Sequence, residues 1–356
     1  MSDIRTISNW SGTEVPPGEC RNVFLDVSES YSGATVKIPL QVRRGKSDGP
    51  TVFVTAAIHG DEINGTGAIR TLVTDEHLQL CAGSLILVPV LNVLGFDRHS
   101  RYLPDRRDLN RSFPGSATGS QTSRMAKLIF GEIVARSDFG IDLHTAAIRR
   151  TNFPNIRADL ADPGVERLAQ AFGAQVTIIG KGPQGSLRRE ACAAGCPTIV
   201  YEGGEVSKVE PGIIESAIRG IRNVLVELGM LDEPPNRSAQ PLVVKKTKWV
   251  RADRGGFLEF HVAPGDIVAK GMPIATNASL LGCEQNVQRS PFDALVIGLS
   301  TSPTVSPGEP VCHLGQLPES AEDIERLRKR LSADRLHDKV VDDLATNITI
   351  PEPPES

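Results

Sequence analysis

The sequence predicts an α/β fold with a mixed central sheet, followed by a small all-β unit. Three observations point there. Nearly continuous apolar runs at Thr51–Ile58, Ser84–Val90, Phe139–Leu143, Gln175–Ile179 and Pro197–Tyr201 alternate with segments of helical periodicity, as expected of strands buried on both faces between helices. A polar, proline-rich stretch at Asp232–Pro241 then interrupts the pattern and reads as a linker. Beyond it, over 242–315, the runs shorten and Pro-Gly turns punctuate them. A chain of 356 residues suits this division, since domains run to roughly 100 to 200 residues each.

Taken in order, Val23–Val27 and Thr35–Val42 are β-rich and separated by polar and glycine-containing residues, which predicts an antiparallel start to the sheet. Helices are expected at Ile63–Val73, Thr122–Ala135, Pro163–Phe172 and Pro211–Leu228. The last carries Ile213, Ala217, Ile221, Val224 and Leu228 on one stripe, with Pro211 suited to its first turn. Residues 1–231 therefore form the larger unit, 232–241 the linker, 242–315 the β unit and 316–356 a tail. In the β unit, His261-Val-Ala-Pro-Gly-Asp266 is echoed by Thr304-Val-Ser-Pro-Gly-Glu309, which suggests two similar halves of a barrel or sandwich. The layout resembles the biotinyl/lipoyl carrier fold, but no lysine lies between Lys270 and Lys329, so a covalently loaded carrier is excluded. The tail has a charged helical pattern around Ile324, Leu327 and Leu331 and reads as a solvated surface helix before a fraying Pro-rich end.

The charge balance, 39 basic against 43 acidic residues, offers no global field for phosphate backbones or anionic lipids, so nucleic-acid and membrane partners are not expected. The start lacks an apolar stretch of secretory length and no run of 18 apolar residues occurs, so a cytoplasmic protein is expected, and a homo-oligomer is compatible with it. The six cysteines lack a CxxC pair and fit reduced thiols, with Cys192 and Cys196 read as packing residues.

Four motifs carry chemistry. His59-Gly-Asp-Glu62 follows the first apolar strand, and an imidazole and a carboxylate there can turn to one point, as a zinc site requires. His144 ends another such strand, and Asp142, two residues earlier on the same side, is placed to orient it. Glu202 ends a third, where a carboxylate can serve as general base on an activated water and then as acid toward a leaving nitrogen, while Glu205 reads as a solvated or substrate-rim residue. Strand ends of an open α/β sheet are where such folds place their sites. Between them, the segment Arg101 to Gly115 clusters Arg101, Arg106, Arg107 and Arg111 around Asn110, the residue types that bind a carboxylate and an oxyanion.

His59-Gly-Asp-Glu62, Asp108-Leu-Asn110-Arg111, Asp142-Leu-His144-Thr and Glu202-Gly-Gly together resemble the succinylglutamate desuccinylase/aspartoacylase family, zinc amidohydrolases of carboxypeptidase A-like fold. The resemblance covers about residues 45–230 and implies an α/β/α sandwich with a mixed sheet, plus a small C-terminal barrel-sandwich-like β domain. It implies one Zn²⁺ per chain on His59, Glu62 and His144, with Glu202 as the catalytic carboxylate. Asn110 and Arg111 match the pair that holds the substrate carboxylate, and Arg101 the arginine that polarises the scissile carbonyl, with Arg98, Arg106 or Arg107 as substitutes. Arg149, Arg150 and Arg188 are candidates for reading a second carboxylate. Aspartoacylase-type members close the pocket with a tyrosine from the C-terminal domain. The tyrosines here are Tyr31, Tyr102 and Tyr201, so that contact is absent or made by another side chain.

The expected function is hydrolysis of the amide bond of a small anionic N-acyl amino acid by a zinc-activated water. The alternatives are a zinc carboxypeptidase acting on peptide C-termini and a non-catalytic binding module.

Overall fold

The computed structural model describes residues 7–29, 32–236, 241–282, 285–318, 320–332 and 335–345. Strands β1 (Cys20–Glu29), β2 (Thr35–Arg44), β3 (Ser47–Ala56) and β4 (Ala82–Val88) open the sheet, with helix α1 (Asn64–Thr74) between the last two. After α2 (Gln121–Glu132) come β5 (Phe139–His144), β6 (Arg150–Ala158), α3 (Pro163–Phe172), β7 (Val176–Ile179), α4 (Leu187–Ala193), β8 (Thr198–Glu205) and α5 (Pro211–Glu227). The C-terminal part adds β9 (Leu242–Val244), β10 (Thr247–Arg251), β11 (Gly256–Phe260), β12 (Pro273–Ala278), β13 (Gln285–Arg289), β14 (Ala294–Ser300), β15 (Pro310–Gln316), α6 (Ala321–Ser332) and α7 (Arg335–Ala345).

The main sheet runs β10-β15-β14-β6-β8-β5-β3-β4-β2-β1. Strands β8, β5, β3 and β4 are mutually parallel and the flanks antiparallel, so the sheet is mixed. Alternate residues of a strand point to opposite faces, and each face has its own core. Val52 and Val54 join Ile69, Phe172 and Ile221 under α1, α3 and α5, whereas Phe53 joins Met125, Ile129 and Leu187 under α2 and α4. This is an α/β/α sandwich. A separate antiparallel sheet of β11, β12, β13 and the short strand Thr304–Val305 encloses a third core with Phe260, Ile274 and Val296. Among the described residues, no helix is long and apolar enough to cross a membrane.

The structure departs from expectation at three places. Strand β6 falls in a segment for which the sequence analysis names no element. Pro154 is tolerated because it lies at a bulge, between the Asn152↔Gly204 and Glu202↔Asn155 pairs, where no ladder donor is needed. The strands after the linker do not all stand apart: β9 pairs with β7, and β14 pairs with β6. The tail helices are not solvated on all sides. Leu327, Leu336, Val340 and Leu344 are buried in the main core, and Asp343 accepts the Gly212 N–H at 2.7 Å. Residues 346–356 lie outside the described residues.

Candidate active site

The parallel order β8-β5-β3 brings three strand ends together, and with them His59, Glu62, His144 and Glu202. The chain leaves β3 through Ala57, at a φ of 48°, and turns through Gly60. A Cβ on Gly60 would lie 2.1 Å from the Gly95 carbonyl carbon, so only glycine allows the two backbones this approach. His59, Glu62 and His144 are nearly inaccessible, and one potential ligand atom from each lies within 4.8 Å of the others.

The ring contacts show which atoms face that point. Nδ1 of His59 lies 2.5 Å from Glu62 Oε1, and Nδ1 of His144 lies 2.9 Å from Glu62 Oε2. Each opposite nitrogen meets another carboxylate: His59 Nε2 is 3.2 Å from Asp108 Oδ1, and His144 Nε2 is 2.8 Å from Asp142 Oδ2. A carboxylate on Nε2 keeps the proton there and presents the Nδ1 lone pair to a cation. Two such imidazoles and one carboxylate, gathered on a common centre, suit a divalent ion of the zinc type. Without the ion the groups hold one another's charge. Burial pushes the His144 imidazole down in pKa, but Asp142 and Glu62 lift it well above its ordinary value. His59 is raised in the same way, against burial, by Glu62 and Asp108. Burial would push Glu62 up, yet the two histidines hold it below the usual carboxylate range.

Arg101 reaches this centre, with Nη1 3.1 Å from Glu62 Oε1 and Nη2 3.3 Å from Asp108 Oδ2. Asp108 also accepts the Asn110 N–H at 2.8 Å, so one carboxylate ties His59, Arg101 and the Asn110–Arg111 turn together. Leu187 donates its N–H to Asn110 Oδ1 at 2.9 Å, and the positive φ of Gly185 lets that loop pack on the Arg111 backbone. That loop leads into α4, whose second residue, Arg188, lines the same cavity as Asn110 and Arg111. Arg98, Arg106 and Arg107 do not line the cavity.

The cavity has a volume of about 580 Å³ and is lined by His59, Glu62, Arg101, Asn110, Arg111, His144, Arg150, Arg188 and Glu202, so all nine candidate residues reach it. Glu202 is held by β6: Asn152 Nδ2 donates to its Oε2 at 3.0 Å, and Arg157 pairs with the same oxygen at 2.6 Å. Arg188 is 7% exposed, and its Nη1 has no hydrogen-bond partner among the described residues. Arg150 lies over the Trp249 ring, which stacks on His313 with centroids 4.5 Å apart and planes 6° from parallel.

Asp108, Asn152, Arg157, Trp249 and His313 escaped sequence reasoning. For Asp108 the signal was present in the Asp-Leu-Asn-Arg run. Trp249 and His313, from β10 and β15, form the cavity wall supplied by the C-terminal part. Tyr102 is exposed, Tyr201 is buried beneath the sheet with its hydroxyl on the Ile213 carbonyl, and Tyr31 lies outside the described residues. Two further readings change. Arg149 is exposed and does not line the cavity. Glu205 is largely buried and does not line the cavity; it pairs with Lys208 at 2.6 Å and accepts the Thr301 hydroxyl at 2.5 Å.

Residues 48–228 match the succinylglutamate desuccinylase/aspartoacylase catalytic domain. The N-alpha-acetyl-L-2,4-diaminobutyric acid deacetylase of Halomonas elongata is 28% identical over 313 residues, which span 82% of this chain and 89% of that protein. The product-bound structure of the ectoine utilization protein EutE (DoeB) from Ruegeria pomeroyi matches with a TM-score of 0.75 at 26% identity, covering 85% of this chain and 96% of that one. A succinylglutamate desuccinylase/aspartoacylase structure from Rhodobacter sphaeroides gives a TM-score of 0.76 at 24% identity, over 86% and 97% of the two chains, and bears on the fold alone.

Proposed function

Because the chain belongs to the succinylglutamate desuccinylase/aspartoacylase family, we propose that it is a zinc-dependent deacylase that hydrolyses the amide bond of a small N-acyl amino acid. The observation that carries this reading is the convergence of His59 Nδ1, Glu62 and His144 Nδ1 on one point of a cavity that Glu202 also lines. The relative from Halomonas elongata, named as a deacetylase of an N-acetyl amino acid, supports the reaction class.

His59, Glu62 and His144 would hold one Zn²⁺, which when bound supplies Lewis acidity toward water and the acyl carbonyl. Glu202 takes a proton from the attacking water and delivers it to the leaving nitrogen, so that acid and free amine are the products. Arg101 donates to the oxygen that gains charge as water adds to the carbonyl. Asn110 and Arg111 hold the α-carboxylate, and Arg150 and Arg188 bind the remainder of an anionic substrate. Five arginines line the cavity, counting Arg157, against Glu62 and Glu202, which supports a negatively charged ligand.

A small substrate is favoured over a peptide C-terminus because Trp249 and His313 wall the cavity from the C-terminal strands. The test is the Glu202→Ala protein. It should bind metal as the wild type does and lose about 10²- to 10⁴-fold in turnover, the ordinary yield of a positioned acid-base group. Full activity in that variant overturns the assignment.

A further inference from the structure

The Glu202 carboxylate is gripped by one oxygen. Asn152 Nδ2 donates to Oε2 at 3.0 Å and Arg157 approaches the same atom at 2.6 Å, while Oε1 has no hydrogen-bond partner among the described residues. A carboxylate that must take and return a proton at one place is served by such asymmetric anchoring. One oxygen fixes the plane and the other stays available. The amide does this without adding a second positive charge, which would draw the carboxylate away from basicity.

Asn152 is itself fixed from both sides. Toward β8 it sits opposite Gly204, across the bulge that begins at Glu202, and toward β14 it sits opposite Gly298, where that strand has a bulge of its own. A Cβ at Gly298 would fall 2.4 Å from Asn152 Oδ1 and 2.5 Å from the Thr151 carbonyl oxygen, so β14 presses on the amide with bare backbone. Asn155, from the same strand, donates to the Glu202 carbonyl oxygen at 3.4 Å and steadies the main chain beneath it.

We infer that Asn152 is a positioning residue for the Glu202 carboxylate and that strand β14 of the C-terminal part holds it there through Gly298. This rests on the reading of Glu202 as the proton carrier. It gives the C-terminal part a role in the hydrolytic site itself, beyond walling the cavity: the strand next to β6 sets where the Asn152 amide points, and the amide sets where Oε2 sits.

The test compares Asn152→Ala, Asn152→Asp, Gly298→Ala and Glu202→Ala in the zinc-loaded, full-length protein. Activity is read on the best substrate from a panel of N-acetyl and N-succinyl amino acids, and metal content and Tm are read beside it. Asn152→Ala should lower kcat by about 10- to 100-fold, the scale on which misplacing a reacting group costs rate, with KM within about twofold and metal content unchanged. Asn152→Asp, nearly identical in shape but an acceptor facing a carboxylate, should be worse than Asn152→Ala. A residue that only packs gives the reverse order, and that order overturns the inference. Gly298→Ala should lower kcat without changing KM; wild-type kcat in it overturns the part assigned to β14. Glu202→Ala separates the two claims. If it is inactive while Asn152→Asp is fully active, the positioning inference alone fails, and if it is itself fully active, the reading of Glu202 fails. A crystal structure of Asn152→Asp reads the same point without substrate. Glu202 should leave its place beside Arg157, and a carboxylate unmoved there overturns the inference.

Discussion

His144 Nε2 lies 2.8 Å from Asp142 Oδ2, and the other oxygen of Asp142 accepts the Thr55 hydroxyl at 2.7 Å, so this carboxylate is fixed from two sides and orients the imidazole. Both residues sit on β5, two positions apart and on one face. Replacing Asp142 by Asn keeps the shape but removes the charge that holds the Nε2 proton. Zinc affinity should fall about 10- to 100-fold with the fold intact, as is usual when a ligand's orienting carboxylate is lost. Competition against a chromophoric chelator measures it, and unchanged affinity would deny Asp142 this role.

His313 should make stability depend on pH. Burial, with Arg157 and Arg150 nearby, pushes its pKa down to about 3 in the folded chain. An unfolded histidine takes up a proton near pH 6.5, which the folded one refuses. The stability tied to the neutral ring is therefore fully present above about pH 6.5 and is lost as pH falls toward 3, at up to about 1.4 kcal/mol per unit. His313→Phe keeps a flat ring on Trp249 and should flatten the fall in unfolding free energy between pH 7 and pH 5. Parallel curves for the two proteins would refute the assignment.

Trp249 should report ligand binding. The sequence has two tryptophans, and Trp10 is buried against Arg136, while Trp249 lines the cavity beneath Arg150. Adding an N-acyl amino acid or its product should change the intrinsic emission. The change should disappear in Trp249→Phe and persist in Trp10→Phe, and the opposite pattern would place binding elsewhere.

Arg43 should matter to stability without touching the cavity. It is 8% exposed, and its guanidinium donates to the carbonyl oxygens of Val73, Asp75 and Leu78 at 2.8, 2.9 and 2.8 Å, at the end of α1 and in the turn after it. Arg43→Met would leave these carbonyls without their charged donor and should cost about 3 kcal/mol. Urea unfolding measures it; a loss below about 0.5 kcal/mol would mean that water replaces the guanidinium.

What could be read from the sequence was local chemistry at the ends of strongly patterned strands. His59, Glu62, His144 and Glu202 each follow an apolar run, and the parallel order of β8, β5 and β3 makes those ends neighbours. Strand β6 could not be read because its asparagines, arginines and Pro154 look like a loop, and the bulge that accommodates the proline is a property of the paired strand. Trp249 and His313 reach the cavity only because β10 and β15 continue the main sheet through β14, a pairing between residues far apart in sequence. The tail helices were misjudged for a similar reason. Their apolar stripe is narrow, and α7 buries its share against α5 and β6, elements far away in sequence.

The central claim is that the site at His59, Glu62 and His144 holds a catalytic zinc. The direct measurement is acyl release from N-acetyl and N-succinyl amino acids by the chelator-stripped protein, titrated with Zn²⁺. The account predicts no turnover without metal and a rise that saturates at one equivalent per chain. Turnover unaffected by stripping, or no acyl release at full zinc occupancy across the panel, would contradict it.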